Sequence, residues 1–297
     1  MRTADIHQAT WRTKVLDALP TARPHRLSYI MSISLAVVAA AAAGLTVAYP
    51  SLLTGVAGSN GNLRGTAVVV LAVGLPLLAV AMVGAARGSA RGSARAFVVW
   101  LGALGYLLYQ AVLFCFATPF NNLFLFYVAY LSLAVWSLVF LLRGTDFATF
   151  GEQLSPNMPI RYIAGYALVV AVLNAAAWLA GILPAVFSGH PRDVLDGTGL
   201  LTNPVYIQDL AIWLPLMVTA ALAARRHRVW GKLFTGAMLT LFVLESISIS
   251  VDQWCGSHAD PAFSASSTAM VPVFAAVALL TAVPLISFLR NVDGASA

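Results

Sequence analysis

Eight apolar runs, each about 20 residues long, constrain this chain more than any other feature of it. Each run is long enough to cross a hydrocarbon core of ~30 Å as a helix. A backbone that spans lipid must satisfy its own hydrogen bonds, which a helix does within one segment. The runs are 29–49, 66–86, 97–117, 123–142, 162–185, 206–224, 233–251 and 270–289. The fold predicted is all-α, a polytopic bundle of eight transmembrane helices over 29–289, with a polar tail over 1–28 and a short tail over 290–297. Composition agrees: 60% of the residues are hydrophobic and 9% charged, against about 25% charged in an ordinary soluble domain. In the tail, Ile6, Val15, Leu16 and Leu19 beside Trp11 could form a short interfacial helix, on a loose spacing. The first run could pass for a signal-peptide core. It stays apolar through Leu45, Val47 and Ala48, so an uncleaved anchor is expected.

Orientation follows from the basic residues, which are enriched in cytoplasmic segments. With the N-terminus inside, five basic residues of the tail lie on the cytoplasmic side, together with Arg87, Arg91, Arg95, Arg143, Arg161, Arg225, Arg226, Arg228, Lys232 and Arg290. Only Arg64 and Arg192 fall outside. Both termini are then cytoplasmic, and the expected location is the cell (inner) membrane. The net charge of +6 is accounted for by orientation and calls for no nucleic acid; the expected partners are the lipid bilayer and a lipophilic small molecule.

Depth within the spans gathers the polar residues. Asp209, Glu245 and Asp252 lie in the outer half of helices six and seven, and an acid in hydrocarbon persists only with a partner, a proton or a wet cavity. Glu245 and Asp252 are seven residues apart, hence on one face and roughly 10 Å apart along the axis. Asp252 reads as the solvated outer end of its helix. A buried carboxyl can hold a proton at neutral pH and donate it, which makes Asp209 and Glu245 the candidate acid and base with Asp252 as helper. Tyr106, Tyr109, Tyr127, Tyr206 and Trp213 could wall a cavity and hold a cation by their ring faces. Gln110 and Asn122 would add polar contacts to a substrate or bond helices together. Gly44, Gly74 and Gly84 read as close-packing positions, and Pro76, Pro272 and Pro284 as kinks. Cys115 and Cys255 both lie towards the outer side and leave a disulfide open.

Several chemistries are set aside. All five histidines fall outside the runs, so no helix pair can ligate a haem or intramembrane metal through His. Lys14 and Lys232 are the only lysines, and neither is in a span. No HExxH, GxSxG, P-loop or dinucleotide fingerprint is present, so no metal and no cofactor are expected.

In span count, size and its inventory of acids and aromatics, the chain resembles the small integral-membrane terpene cyclases of meroterpenoid and indole-terpenoid pathways. That resemblance implies an integral-membrane enzyme that cyclises a prenyl substrate, with Glu245 or Asp209 as proton donor and the other carboxyl as final base. The residues alone fit a proton-coupled small-molecule transporter equally well, with the same carboxyls binding and releasing protons. A non-catalytic membrane subunit is the third reading. No internal repeat is visible, so the repeat signature of many transporters is missing.

Overall fold

The computed structural model describes residues 26–87, 93–190 and 194–293; the expected interfacial helix of the tail lies outside them. Eight helices are long and apolar enough to cross a membrane, and they form the all-α bundle expected. We number them α1 (Arg26–Ala48), α2 (Ala57–Arg87), α3 (Ala94–Phe116), α4 (Phe124–Arg143), α5 (Ile160–Phe187), α6 (Pro204–Arg225), α7 (Val229–Ala259) and α8 (Met270–Arg290). A short helix, Phe147–Glu152, lies between α4 and α5. The ends of α2, α4, α6 and α8 carry Arg87, Arg143, Arg225 and Arg290. This side of the bundle is called the arginine face below.

Two helices run well past the apolar runs that announced them. α2 begins at Ala57 and α7 continues to Ala259, because their polar ends pack on each other and not on lipid. Gly65 meets the backbone of Asp252, with a Cβ there only 2.9 Å from its Cα, and Ser266 donates to Asn62 Oδ1 at 2.8 Å. His258 therefore ends inside α7, in its last turn. Of the three expected close-packing glycines, Gly74 lies under Tyr106 and Gly84 under Ala96, whereas Gly44 has nothing within 4 Å of a built Cβ. Pro284 does sit within α8, while Pro272 falls in its first turn, where a missing N–H breaks no helical bond.

α2 and α6 share a local irregularity. Each contains one widened turn of π type, Val70–Gly74 in α2 and Asp209–Trp213 in α6. Each runs directly into Leu-Pro-Leu, so VLAVGLPLL over 70–78 matches DLAIWLPLM over 209–217 at five of nine positions. A proline ring inside a helix presses on the carbonyl four residues back. That residue is Ala72 or Ala211, inside the widened turn, where the wider path draws the carbonyl aside.

α3 and α7 are the most buried helices and lie side by side at the centre. α1 is packed on α4 from end to end. Ser28 Oγ donates to Phe140 O at 3.1 Å near the arginine face, and the Thr46 and Tyr127 hydroxyls meet at 3.2 Å at the other end. α5 and α8 are tied by the Tyr166 and Thr281 hydroxyls at 2.7 Å. Beyond Ala171 no residue of α5 is buried, and none of α8 before Ala278.

Candidate functional site

The three membrane acids come to one region, each held across a helix interface by a neutral donor. Glu245, 9% exposed, takes a bond of 2.5 Å from Gln110 Nε2 of α3. Asp252 takes bonds of 3.1 and 3.0 Å from the hydroxyl of Thr66 in α2. Asp209, 5% exposed, takes one of 2.8 Å from the indole N–H of Trp178 in α5. The Tyr109 hydroxyl stands beside Asp209 and also feels the charge of Glu245. Asp209 and Asp252 both lie within electrostatic reach of Glu245, and among the described residues no cation acts on the three.

Local structure explains how each acid arrives. Asn203 caps the start of α6 by accepting from Val205 and Tyr206 N–H, with Pro204 at the first helical position, where its missing N–H costs nothing. Asp209 is then the first residue of the widened turn. Glu245, Ser248 and Asp252 follow at helical spacing along α7, and Ser248 takes a bond from the Tyr106 hydroxyl at 3.4 Å. Gly65 has no side chain where one would meet Asp252 Oδ1 at 2.8 Å, so α2 comes close enough for Thr66 to reach the carboxylate. Asp252 is thus a half-buried, hydrogen-bonded group two turns before the end of α7, not the helix terminus expected of it.

The other expected residues divide. Tyr106, Tyr109, Gln110, Tyr206 and Trp213 lie with the acids. Tyr206 packs on Trp178 at a ring distance of 4.9 Å, and Tyr109 on Trp213 at 6.2 Å. Trp213 donates to Gln208 Oε1 at 3.1 Å, and Gln208 reaches the Tyr109 carbonyl at 3.5 Å. Tyr127 sits elsewhere, buried against Phe114 and bonded to Thr46, and Asn122 is exposed before α4. Cys115 and Cys255 are free thiols.

Sequence reasoning missed Thr66, Trp178, Gln208 and Ser248 as partners of the site. Trp178 was visible as a polar-edged aromatic at mid-span; Thr66 gave no signal, since one hydroxyl in an apolar run normally bonds its own helix. Gln110 Oε1 is buried without a partner, a vacancy on the acceptor side next to Glu245. Among the described residues no group of three or more His, Cys, Asp or Glu could hold a metal ion. An apolar groove of about 570 Å³ runs between α1 and α2, lined by residues such as Tyr29, Val37, Leu78 and Met82. It lies toward the arginine face and is no part of the acid cluster. No family model, no curated protein and no solved structure matches this chain.

Proposed function

We propose that this integral membrane protein is an enzyme acting on a lipophilic substrate by carboxyl acid and base chemistry, with Asp209 facing the substrate and Glu245, assisted by Asp252, exchanging the proton. The observation that carries this reading is the placement of Asp209 next to Trp178 and Tyr206, with Tyr109 leading from it to Glu245. Ring faces beside an acid suit an apolar molecule that gains positive charge on protonation. The partners of Glu245 and Asp252 suit exchange: an amide or hydroxyl can donate to a carboxylate or, turned, accept from a carboxylic acid. An arginine or lysine partner would hold the group ionised. Trp178 can only donate, which suits Asp209 as a carboxylate and therefore as final base. Prenyl cyclisation is the reaction of this class that the inventory fits.

A second reading, a proton-coupled small-molecule carrier, is favoured by a separate observation, the matched widened turns of α2 and α6, since repeated units are common in carriers. One experiment separates the two. Native protein in detergent should convert an added prenylated compound into a cyclised isomer of equal mass and changed chromatographic retention, and Glu245→Gln should lose that activity while remaining monodisperse. A compound carried unaltered into sealed vesicles, with pH change inside, would favour the carrier. Full activity of either kind in Glu245→Gln would end both chemical readings.

A further inference from the structure

The groove between α1 and α2 exists because the residues that face each other across it are small. Ala36 and Ala40 on α1, with Ala79 and Ala86 on α2, leave a space of about 570 Å³ that larger side chains would fill. Leu78, fully buried, and Met82 lie at its base, and Val37 and Val83 stand on its lipid side, 64% and 45% exposed. At its arginine end the Tyr29 hydroxyl donates to Met82 O at 3.5 Å, and the Tyr29 ring packs on Trp100 of α3 at 4.7 Å.

Length and charge both point to one occupant. Tyr29 and Ala40 on one wall, and Leu75 and Ala86 on the other, are each eleven residues apart, which is roughly 16 Å at helical rise. One leaflet of a ~30 Å hydrocarbon core is about 15 Å deep. The groove starts within a turn of the helix ends on the arginine face, so it spans that leaflet and stops. Arg26 opens α1 one turn before Tyr29, and Arg87 closes α2 next to Ala86. Both are exposed, and because α1 and α2 are antiparallel, both flank the same end of the groove. Residues 26–143 contain no Asp or Glu, so no acid in this half of the chain neutralises them. A second copy docked here by two-fold symmetry would set these arginines against its own.

We infer that the groove is a binding site for an anionic phospholipid of the leaflet at the arginine face, with one acyl chain laid between α1 and α2 and the phosphate held by Arg26 and Arg87. An acyl chain gains only packing by leaving bulk lipid for an apolar groove, so the chain supplies the fit and the arginines supply the preference. Bound there, the lipid fills the packing between the two helices where alanines leave it open. The site lies apart from the acid cluster and holds whichever chemistry that cluster performs.

Native mass spectrometry of the detergent-solubilised protein, offered equal amounts of dioleoylphosphatidylglycerol and dioleoylphosphatidylcholine, tests the charge. One phosphatidylglycerol should be retained per chain with a preference on the order of twentyfold, roughly fivefold for each arginine. Arg26→Gln combined with Arg87→Gln should abolish the preference. Arg225→Gln, which removes an exposed arginine of the same face at the end of α6, should keep it. Ala79→Phe, which fills the groove, should lose the bound lipid, whereas Val80→Phe, at an exposed neighbour outside the groove, should retain it. Phosphatidylglycerol with a diazirine in one acyl chain should label Val37 and Val83 several-fold more than Val135, which is exposed at comparable depth on α4. Equal retention of the two lipids, a preference that survives loss of both arginines, or equal labelling of the three valines overturns the site. Retention of glycerol phosphate as firmly as of the lipid would mean a headgroup pocket with no use for the chain, and a dimer broken by Ala79→Phe would put a second copy in the groove; either result overturns it too.

Discussion

At the scale of single residues, the buried contact between Gln110 and Glu245 is the one with most at stake. Gln110 is fully buried, and without its amide the Glu245 carboxyl would have no partner in the protein. A buried polar group left unsatisfied costs about 1–3 kcal/mol. Gln110→Ala should therefore lower stability by that amount in thermal unfolding of the detergent-solubilised protein. Adding Glu245→Ala should recover part of the loss, and a double-mutant cycle should return a coupling of roughly 0.5–3 kcal/mol. A coupling near zero would mean that water serves Glu245 as well as Gln110 does. Glu245 and Asp209 were legible because an acid in an apolar run is expensive. Thr66 and Trp178 were not, because their role exists only once α2 and α5 take a particular rotation about their axes. Such rotation is set by packing with neighbours, not by hydropathy. The misreading of Asp252 has the same origin: α7 leaves the apolar pattern at Val251 yet stays helical because α2 lies against it.

At the scale of elements, the α2–α7 contact depends on bare backbone. A methyl group at Gly65 would stand 2.8 Å from Asp252 Oδ1 and 2.9 Å from its Cα, so the helices would have to move apart. Gly65→Ala should cost about 1–3 kcal/mol, as overpacking does, and should weaken the Thr66 bond to Asp252. The short helix between α4 and α5 offers a pH-dependent case outside the membrane. Asp146 caps it, and the Thr149 hydroxyl at 2.5 Å, with help from the Ala148 N–H, holds its carboxyl below the usual range. A carboxyl depressed in the folded state contributes above its unfolded pKa and loses that contribution as pH falls through the folded one. Asp146→Ala should thus lower the melting temperature slightly at neutral pH and have no effect once the pH is well below the carboxylate range. The eight helices were readable from length and hydropathy alone. The widened turns and the repeat were not, because the match rests on a few leucines, an alanine and a proline in a chain rich in all three.

For the whole molecule, the two halves of the chain divide the chemistry unevenly. Residues 26–143 contain no Asp or Glu, so α1–α4 bring only neutral side chains such as Thr66, Tyr109 and Gln110 to acids that all belong to α6 and α7. The sidedness of the assembly is open to direct measurement. The enrichment of basic residues in cytoplasmic segments gives the expectation that the arginine face is cytoplasmic. In sealed inside-in vesicles, Ala262→Cys, exposed beyond α7, should react with an impermeant maleimide, and Arg226→Cys, exposed between α6 and α7, should not. The reverse pattern would invert the orientation. The arginine face also ties the start of α3 to the residues after α8. Asp293 accepts from Ser93 Oγ at 2.7 Å and from the N–H groups of Ala94 and Arg95 at 2.8 and 3.2 Å, while Arg95 reaches Val292 O at 2.8 Å. The start of the third helix is thus finished by a residue synthesised some two hundred positions later. Ser93 and Gln153 serve the amides of Ala96 and Ala94 earlier in synthesis, and the cap is completed only when the last span has been made.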